Sequence, residues 1–288
     1  TPLVLGDDWI RVRTAYLATG DHGGADEILE NYRRRDAALE GYAAHEEVVF
    51  WFEHDLFDQL LLIRHLWWMD VRLRETASAS RAHATRFSLV CRDRYLGLLK
   101  PEEFPALFER RRAITGPQRR AGAAAWEVFC GPDPERLVPL AEAPSADLPF
   151  LPGALWRHLE EYPSVENGLA RSEAEILRIL SDGSRSPEDT FHALTRTEER
   201  VFMGDTSFWT IIRRLAAGPH PLVVFDVAER PGRLPTGRVG ITDEGRGVLS
   251  GRADYVALNG IDRWLGGVHL TPAGLWRWTG ASVRPATA

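Results

Sequence analysis

The chain has 288 residues, of which 44% are hydrophobic and 26% charged, and its net charge is −6. That is the composition of an ordinary globular protein, long enough for one large domain or two ordinary ones. It excludes disordered and fibrous classes, and it argues against a chain that coats nucleic acid through bulk positive charge. The cations are almost all arginine, with Lys100 the only lysine. Cys91 and Cys130 stand far apart and form neither a metal spacing nor a disulfide framework, which fits buried thiols in a reducing cytoplasm. No apolar run approaches the ~20 residues that span a bilayer, and no signal-peptide pattern is present, so a cytoplasmic protein without membrane partners is expected.

The chain opens on Thr1 rather than Met. An N-terminal threonine can act as a nucleophile activated by its own amine, but a trimmed or processed beginning is the simpler reading. Residues 7–19 and 25–44 read as helices, the second with Ile28, Leu29, Tyr32 and Leu39 opposite Arg33, Arg34 and Arg35. Between them lies a glycine-flanked loop around His22, either an anion-binding turn or merely a flexible one.

The most telling stretch is EEVVFWFEHDLFDQLLLIRHLWW, residues 46–68. Val48, Val49, Phe50, Trp51 and Phe52 are β-branched or aromatic without polar alternation, as in a strand buried on both faces. Leu56, Leu60, Ile63 and Trp67 then recur at helical spacing, which predicts a helix over 56–70 with Asp55 as its N-cap and Asp58 in its first turn. A connection rich in Arg, Ala and Ser leads to a second apolar strand at 87–91. Two strands joined by one helix form a parallel crossover, and ligands of such sheets bind outside the carboxyl ends of the strands. A third strand is needed, yet no good candidate stands before residue 145, so the expectation is that the first strand lies upstream of Thr1.

Glu53, His54 and Asp55 at the strand end, with Asp58 and Gln59 just inside the helix, could supply a general acid and base or metal ligands, although the spacing matches no zinc or di-iron pattern. An equally simple reading makes Asp55 a cap, Asp58 a residue favoured by the helix dipole, and Glu53 a solvent-facing side chain. Arg92 and Arg94 follow the second strand and could face the same crevice, where a guanidinium would suit a carboxylate or phosphate. A surface Arg-Asp-Arg loop is the alternative.

Helices are predicted at 102–111, 118–129 and 154–161, closing over the sheet, and residues 162–168 read as a linker. The first domain is therefore placed at 1–161 and the second at 169–288. In the second, Ser172 to Glu175 has capping-box spacing, Ser186-Pro187 opens another helix, and a third runs over 205–217. Strands at 222–227 and 238–242 around a Pro/Gly-rich turn complete the order of a winged helix. Its third helix is mostly apolar, with Arg213 and Arg214 as its cations, which suits protein contacts better than DNA, while Arg230, Arg233 and Arg238 near the wing keep a DNA partner open. Asn259, Asp262, Arg263 and His269 sit among glycines and suggest a polar clasp under a tight turn.

Four strings in order, WFEHDLFDQLLL, LPFLPGALWRHLEEYPSVENGLARSEAEIL, FMGDTSFW and GRADYVALNGIDRWLGGVHL, resemble the bacterial family catalogued as domain of unknown function 1835 with its C-terminal companion, domain of unknown function 3658. The resemblance spans nearly the whole chain but brings no established activity, cofactor or catalytic residue. Members open with a strand and an Asn-Gly-Asp-Ser loop that this chain lacks. The sequence thus leads to an α/β domain binding a small anionic ligand, with hydrolytic or group-transfer chemistry through Glu53, His54 and Asp55 and with Asp58, Gln59, Arg92 and Arg94 at the ligand. A regulator or interaction protein acting through the second domain is the alternative.

Overall fold

A computed structural model describes residues 2–20, 23–78, 85–230 and 232–286. The chain divides into two compact units, the first made of Thr1–Ala18 and Gly23–Trp156, the second of Thr19–His22 and Arg157–Ala288. Among the described residues no helix is long and apolar enough to cross a membrane.

The first unit runs α1 (Gly6–Leu17), α2 (Ala25–Glu40), β1 (Glu47–Phe52), α3 (Leu56–Ser78), β2 (Arg86–Cys91), α4 (Phe104–Glu109), β3 (Arg112–Ala113), α5 (Gly116–Phe129), α6 (Val138–Glu142) and α7 (Leu151–Leu159), the last carrying the boundary. β1 and β2 are parallel, with Val48 opposite Phe87 and Phe52 opposite Cys91, as the two apolar runs predict. The sheet is not purely parallel, because β3 joins β2 antiparallel through Ser88–Ala113 and Leu89–Arg112. The expected helix at 102–111 runs only from Phe104 to Glu109, and after Arg110 and Arg111 the residues Arg112 and Ala113 form this third strand. With order β1-β2-β3, the outer edge of β1 has no partner strand among the described residues.

Helix α3 is the hub of this unit. Leu62, Ile63, Leu66 and Trp68 are fully buried, and α5 packs so closely that a Cβ on Gly122 would collide with the Leu66 side chain. Such burial of large apolar side chains is the main stabilising term, roughly 1.5–3 kcal/mol for each one removed from water.

The second unit runs α8 (Arg171–Ser181), α9 (Pro187–Thr195), α10 (Asp205–Ala216), β4 (Val223–Arg230), β5 (Arg233–Ile241), α11 (Asp243–Leu249), α12 (Tyr255–Asn259), β6 (Arg263–Leu265), β7 (Val268–Leu270), β8 (Trp276–Trp278) and β9 (Val283–Pro285), with three separate two-stranded antiparallel sheets. Its core gathers Ile176, Leu177 and Leu180 of α8, Phe208, Ile212 and Leu215 of α10, and Val223 and Val239 of the hairpin. The residues expected to be a linker are packed instead: Tyr162 is fully buried, and the Asn167 carbonyl accepts the Tyr255 N–H at 2.8 Å. Gly168 carries a positive φ where Asp254 leaves no room for a side chain, so its glycine marks a tight contact rather than a joint.

Candidate functional site

The corner between β1 and α3 is built by its own polar residues. Asp55 Oδ1 accepts the N–H groups of Phe57 at 2.9 Å and Asp58 at 3.2 Å, so Asp55 caps the helix as its position predicts. Asp58 Oδ2 reaches back to the Glu53 N–H at 2.6 Å. Gln59 Nε2 donates to the Glu53 carbonyl at 2.6 Å and to Cys91 Sγ at 3.5 Å, tying the carboxyl ends of β1 and β2 together. Glu53 Oε1 accepts the Leu96 N–H at 2.6 Å and thereby holds the loop that follows β2.

Each of the three carboxylates spends one oxygen on these backbone bonds. Glu53 Oε2, Asp55 Oδ2 and Asp58 Oδ1 make no hydrogen bond to any described residue. One ligand oxygen from each of Glu53, Asp55 and Asp58 lies within 4.8 Å of the others. Burial pushes the Asp55 carboxyl above its ordinary range, against the two N–H groups it accepts, and burial does the same to Asp58 against the Glu53 N–H. The corner therefore concentrates acidic oxygen where the surroundings disfavour uncompensated negative charge.

His54 is not at a solvent-facing mouth. It is 9% exposed, with its ring 5.1 Å from that of Tyr95 and 6.0 Å from that of Phe150, centroid to centroid. Arg92 follows β2 with its N–H on the Phe52 carbonyl, but its guanidinium pairs with Asp93 at 3.8 Å, and Arg94 pairs with Glu103 at 3.3 Å. Arg92 is half-buried and Arg94 exposed, and the contacts seen for their guanidiniums are these ion pairs with Asp93 and Glu103. Tyr95, Leu96 and Phe150, which shape the corner, were not found from the sequence, because they lie in segments without periodicity and meet the strand end only through folding. His22 lies outside the described residues.

Cys91 and Cys130 are free thiols, as expected, and burial raises them to about 11 and about 12, which leaves no thiolate nucleophile at neutral pH. In the second unit, Arg214 of α10 donates to Glu173 at 2.8 Å and is not an open cation, and Arg238 donates to Ser184 Oγ at 2.9 Å. The C-terminal clasp exists within that unit. Asn259 exchanges two hydrogen bonds with the His220 backbone, both 3.0 Å, and His269 meets Asp262 at 2.7 Å and stacks on Trp264. The carboxylate that sequence reading overlooked is Glu173: fully buried, it accepts the Ala170 N–H at 2.8 Å and binds Arg214 and Arg263. Its bond to the Ala170 N–H supplies one half of a capping box at the start of α8, since the Ala170 methyl has no acceptor to complete the other half.

Comparison of the chain with protein-family models, with curated proteins and with solved structures gives no match.

Proposed function

We propose that the first unit is a ligand-binding domain in which Glu53, Asp55 and Asp58 hold a hard divalent cation, and that this cation receives a small anionic ligand at the carboxyl ends of β1 and β2. The observation that carries the reading is the trio of carboxylates, each with one oxygen uncommitted among the described residues, at the end of a parallel strand pair. Mg²⁺ and Ca²⁺ take carboxylate oxygen, and a cation so held supplies the positive charge that Arg92 and Arg94 do not bring to the corner. The reaction class such a site could serve is hydrolysis or group transfer, with His54 as the proton carrier. Membership of the family that the four strings resemble belongs to this reading and adds no activity to it.

Isothermal titration with Mg²⁺, Mn²⁺ and Ca²⁺ tests it. Binding of one ion per chain, lost in both Glu53→Gln and Asp58→Asn while the fold is retained, is the expected result. No binding of any of the three at millimolar ion, roughly the weak end of protein calcium sites, removes the proposal.

A second reading concerns the second unit, whose order α8, α9, α10, β4, β5 supports a winged-helix-like module. Val224 and Phe225 of β4 are 57% and 39% exposed, an apolar surface on the hairpin that favours a protein partner. The engagement of Arg214 with Glu173 and of Arg238 with Ser184 weighs against DNA. Gel shifts with random duplex DNA should therefore be weak and vanish as salt rises; a sequence-specific shift at physiological salt reverses that preference.

A further inference from the structure

The connection that leaves β2 comes back to the end of β1. After Cys91 the chain runs through Arg92 and Asp93 to a short helical turn at Leu96–Leu98. Two contacts hold it at the corner: the Leu96 N–H donates to Glu53 Oε1 at 2.6 Å, and the Tyr95 ring lies 5.1 Å from that of His54. The connection is braced within itself, since the Tyr95 and Leu96 carbonyls accept the N–H groups of Leu98 and Leu99, both at 3.1 Å. Its far side is open to solvent. A Cβ on Gly97 would meet nothing within 4 Å, and Leu98 is 76% exposed, the most of any large apolar side chain among the described residues.

Glu53 is therefore shared between two tasks. Its Oε1 is held by the connection, while its Oε2 makes no hydrogen bond to any described residue and is open to a cation that Asp55 and Asp58 also reach. A glutamate has several side-chain torsions to freeze, and a hydrogen bond on the outer oxygen of a ligating carboxylate freezes them before the ion arrives. An ion and an N–H on opposite oxygens of one carboxylate do not compete, and each selects the rotamer that the other needs. The coupling is positive, and such coupling acts equally in both directions.

We propose that residues 92–99 form a strap latched to the corner by Glu53, and that a divalent cation at Glu53, Asp55 and Asp58 and the closed strap stabilise one another. The inference rests on the reading of the corner as a cation site and adds to it a positioning residue, Leu96, which acts through its backbone N–H alone. Closure keeps Tyr95 against His54, so the ion that receives the ligand also shuts water away from the proton carrier.

Leu96→Pro tests this by removing that N–H and little else. Tyr95 already has the extended backbone that a residue before proline adopts, with φ −69° and ψ 126°, and Leu96 is the first residue of its turn. Leu96→Ala keeps the N–H and is the matched control. In titrations with Mg²⁺, Mn²⁺ and Ca²⁺, Leu96→Pro should bind about tenfold or more weakly than wild type, the usual loss for an outer partner of a metal ligand, and Leu96→Ala should bind as wild type does. Saturating ion should also slow amide exchange at Leu96 in the wild-type chain, a readout that needs no variant to fold. The strap proposal falls, and the cation site stands, if wild type binds an ion that Leu96→Pro binds equally well. It falls in the same way if Leu96→Ala loses as much affinity as Leu96→Pro, or if ion leaves exchange at Leu96 unchanged or faster. Wild type that binds none of the three ions overturns the cation site and the strap together.

Discussion

Asp58 Oδ2 accepts the backbone N–H of Glu53 at 2.6 Å, so the first turn of α3 closes back on the residue that leaves β1. A side chain inside the helix thus fixes the exit angle of the strand. The same carboxylate keeps its other oxygen uncommitted among the described residues, and this separates what it does for the fold from what it offers a ligand.

Asp55 allows that separation to be measured. Asp55→Ala removes the acceptor for Phe57 and Asp58 N–H and should cost about 1 kcal/mol, whereas Asp55→Asn caps nearly as well and should be close to neutral in urea unfolding. Both variants should lose the cation. If affinity follows stability across the pair instead, Asp55 is a cap and nothing more.

Cation affinity should depend on pH above the usual carboxylate range. Burial raises both Asp55 and Asp58, so protons compete with the ion earlier in an acidification than at ordinary aspartates. Titrations taken stepwise from about pH 7.5 down through the carboxylate range should show binding weaken as the aspartates take up protons. Equal affinities would mean that neither aspartate is a ligand.

The second unit should lose stability in a different window. Burial, with the neighbouring Arg157 acting in the same sense against Glu161, lowers His158 to about 4, while an unfolded histidine titrates near 6.5. As pH falls below 6.5 the unfolded chain takes up the proton first, so stability present above that value is lost down to about 4. A gap of this size is worth on the order of 3 kcal/mol. Urea midpoints followed through this range should slope in the wild type and flatten in His158→Gln; parallel slopes would contradict the assignment.

Glu173 should be the costliest carboxylate to remove. Burial raises it, but the guanidiniums of Arg263 and Arg214 and the Ala170 N–H outweigh that effect and hold it ionised. Glu173→Ala leaves both arginines facing a buried gap, and breaking such a pair costs about 3–5 kcal/mol. A melting temperature within a degree or so of wild type would show that water replaces the carboxylate.

What could be read beforehand divides along physical lines. β1, β2, α3 and the Asp55 cap were legible because apolar run length and one capping residue are local signals. Helix α3 extends to Ser78, eight residues past the expected end, because residues 71–78 include good helix formers and no breaker even though the apolar stripe fades. β3 was invisible: Arg112 and Ala113 are exposed and have no strand pattern, and only the β2 edge makes them a strand. Arg92 and Arg94 were placed on the right edge of the sheet, but the direction of a long side chain depends on partners such as Glu103 that spacing does not reveal. Glu173 looked like an ordinary first-turn residue, since its partners lie 41 and 90 positions away.

Those separations govern the order in which the second unit can be completed during synthesis. Arg214 arrives while α8 and α10 are folding and meets half of the charge on Glu173. Arg263 donates both to Glu173 and to the Glu161 carbonyl, 102 positions upstream, so the start of the unit is fastened by a residue near its end. Until the ribosome has released that residue, the helices lack their last partner, and loop closure over such distances makes the final step slow relative to helix formation. A nascent chain halted before residue 263 would already contain the apolar core, whose last buried member is Tyr255, but would leave Glu173 with Arg214 alone and the Glu161 carbonyl without Arg263.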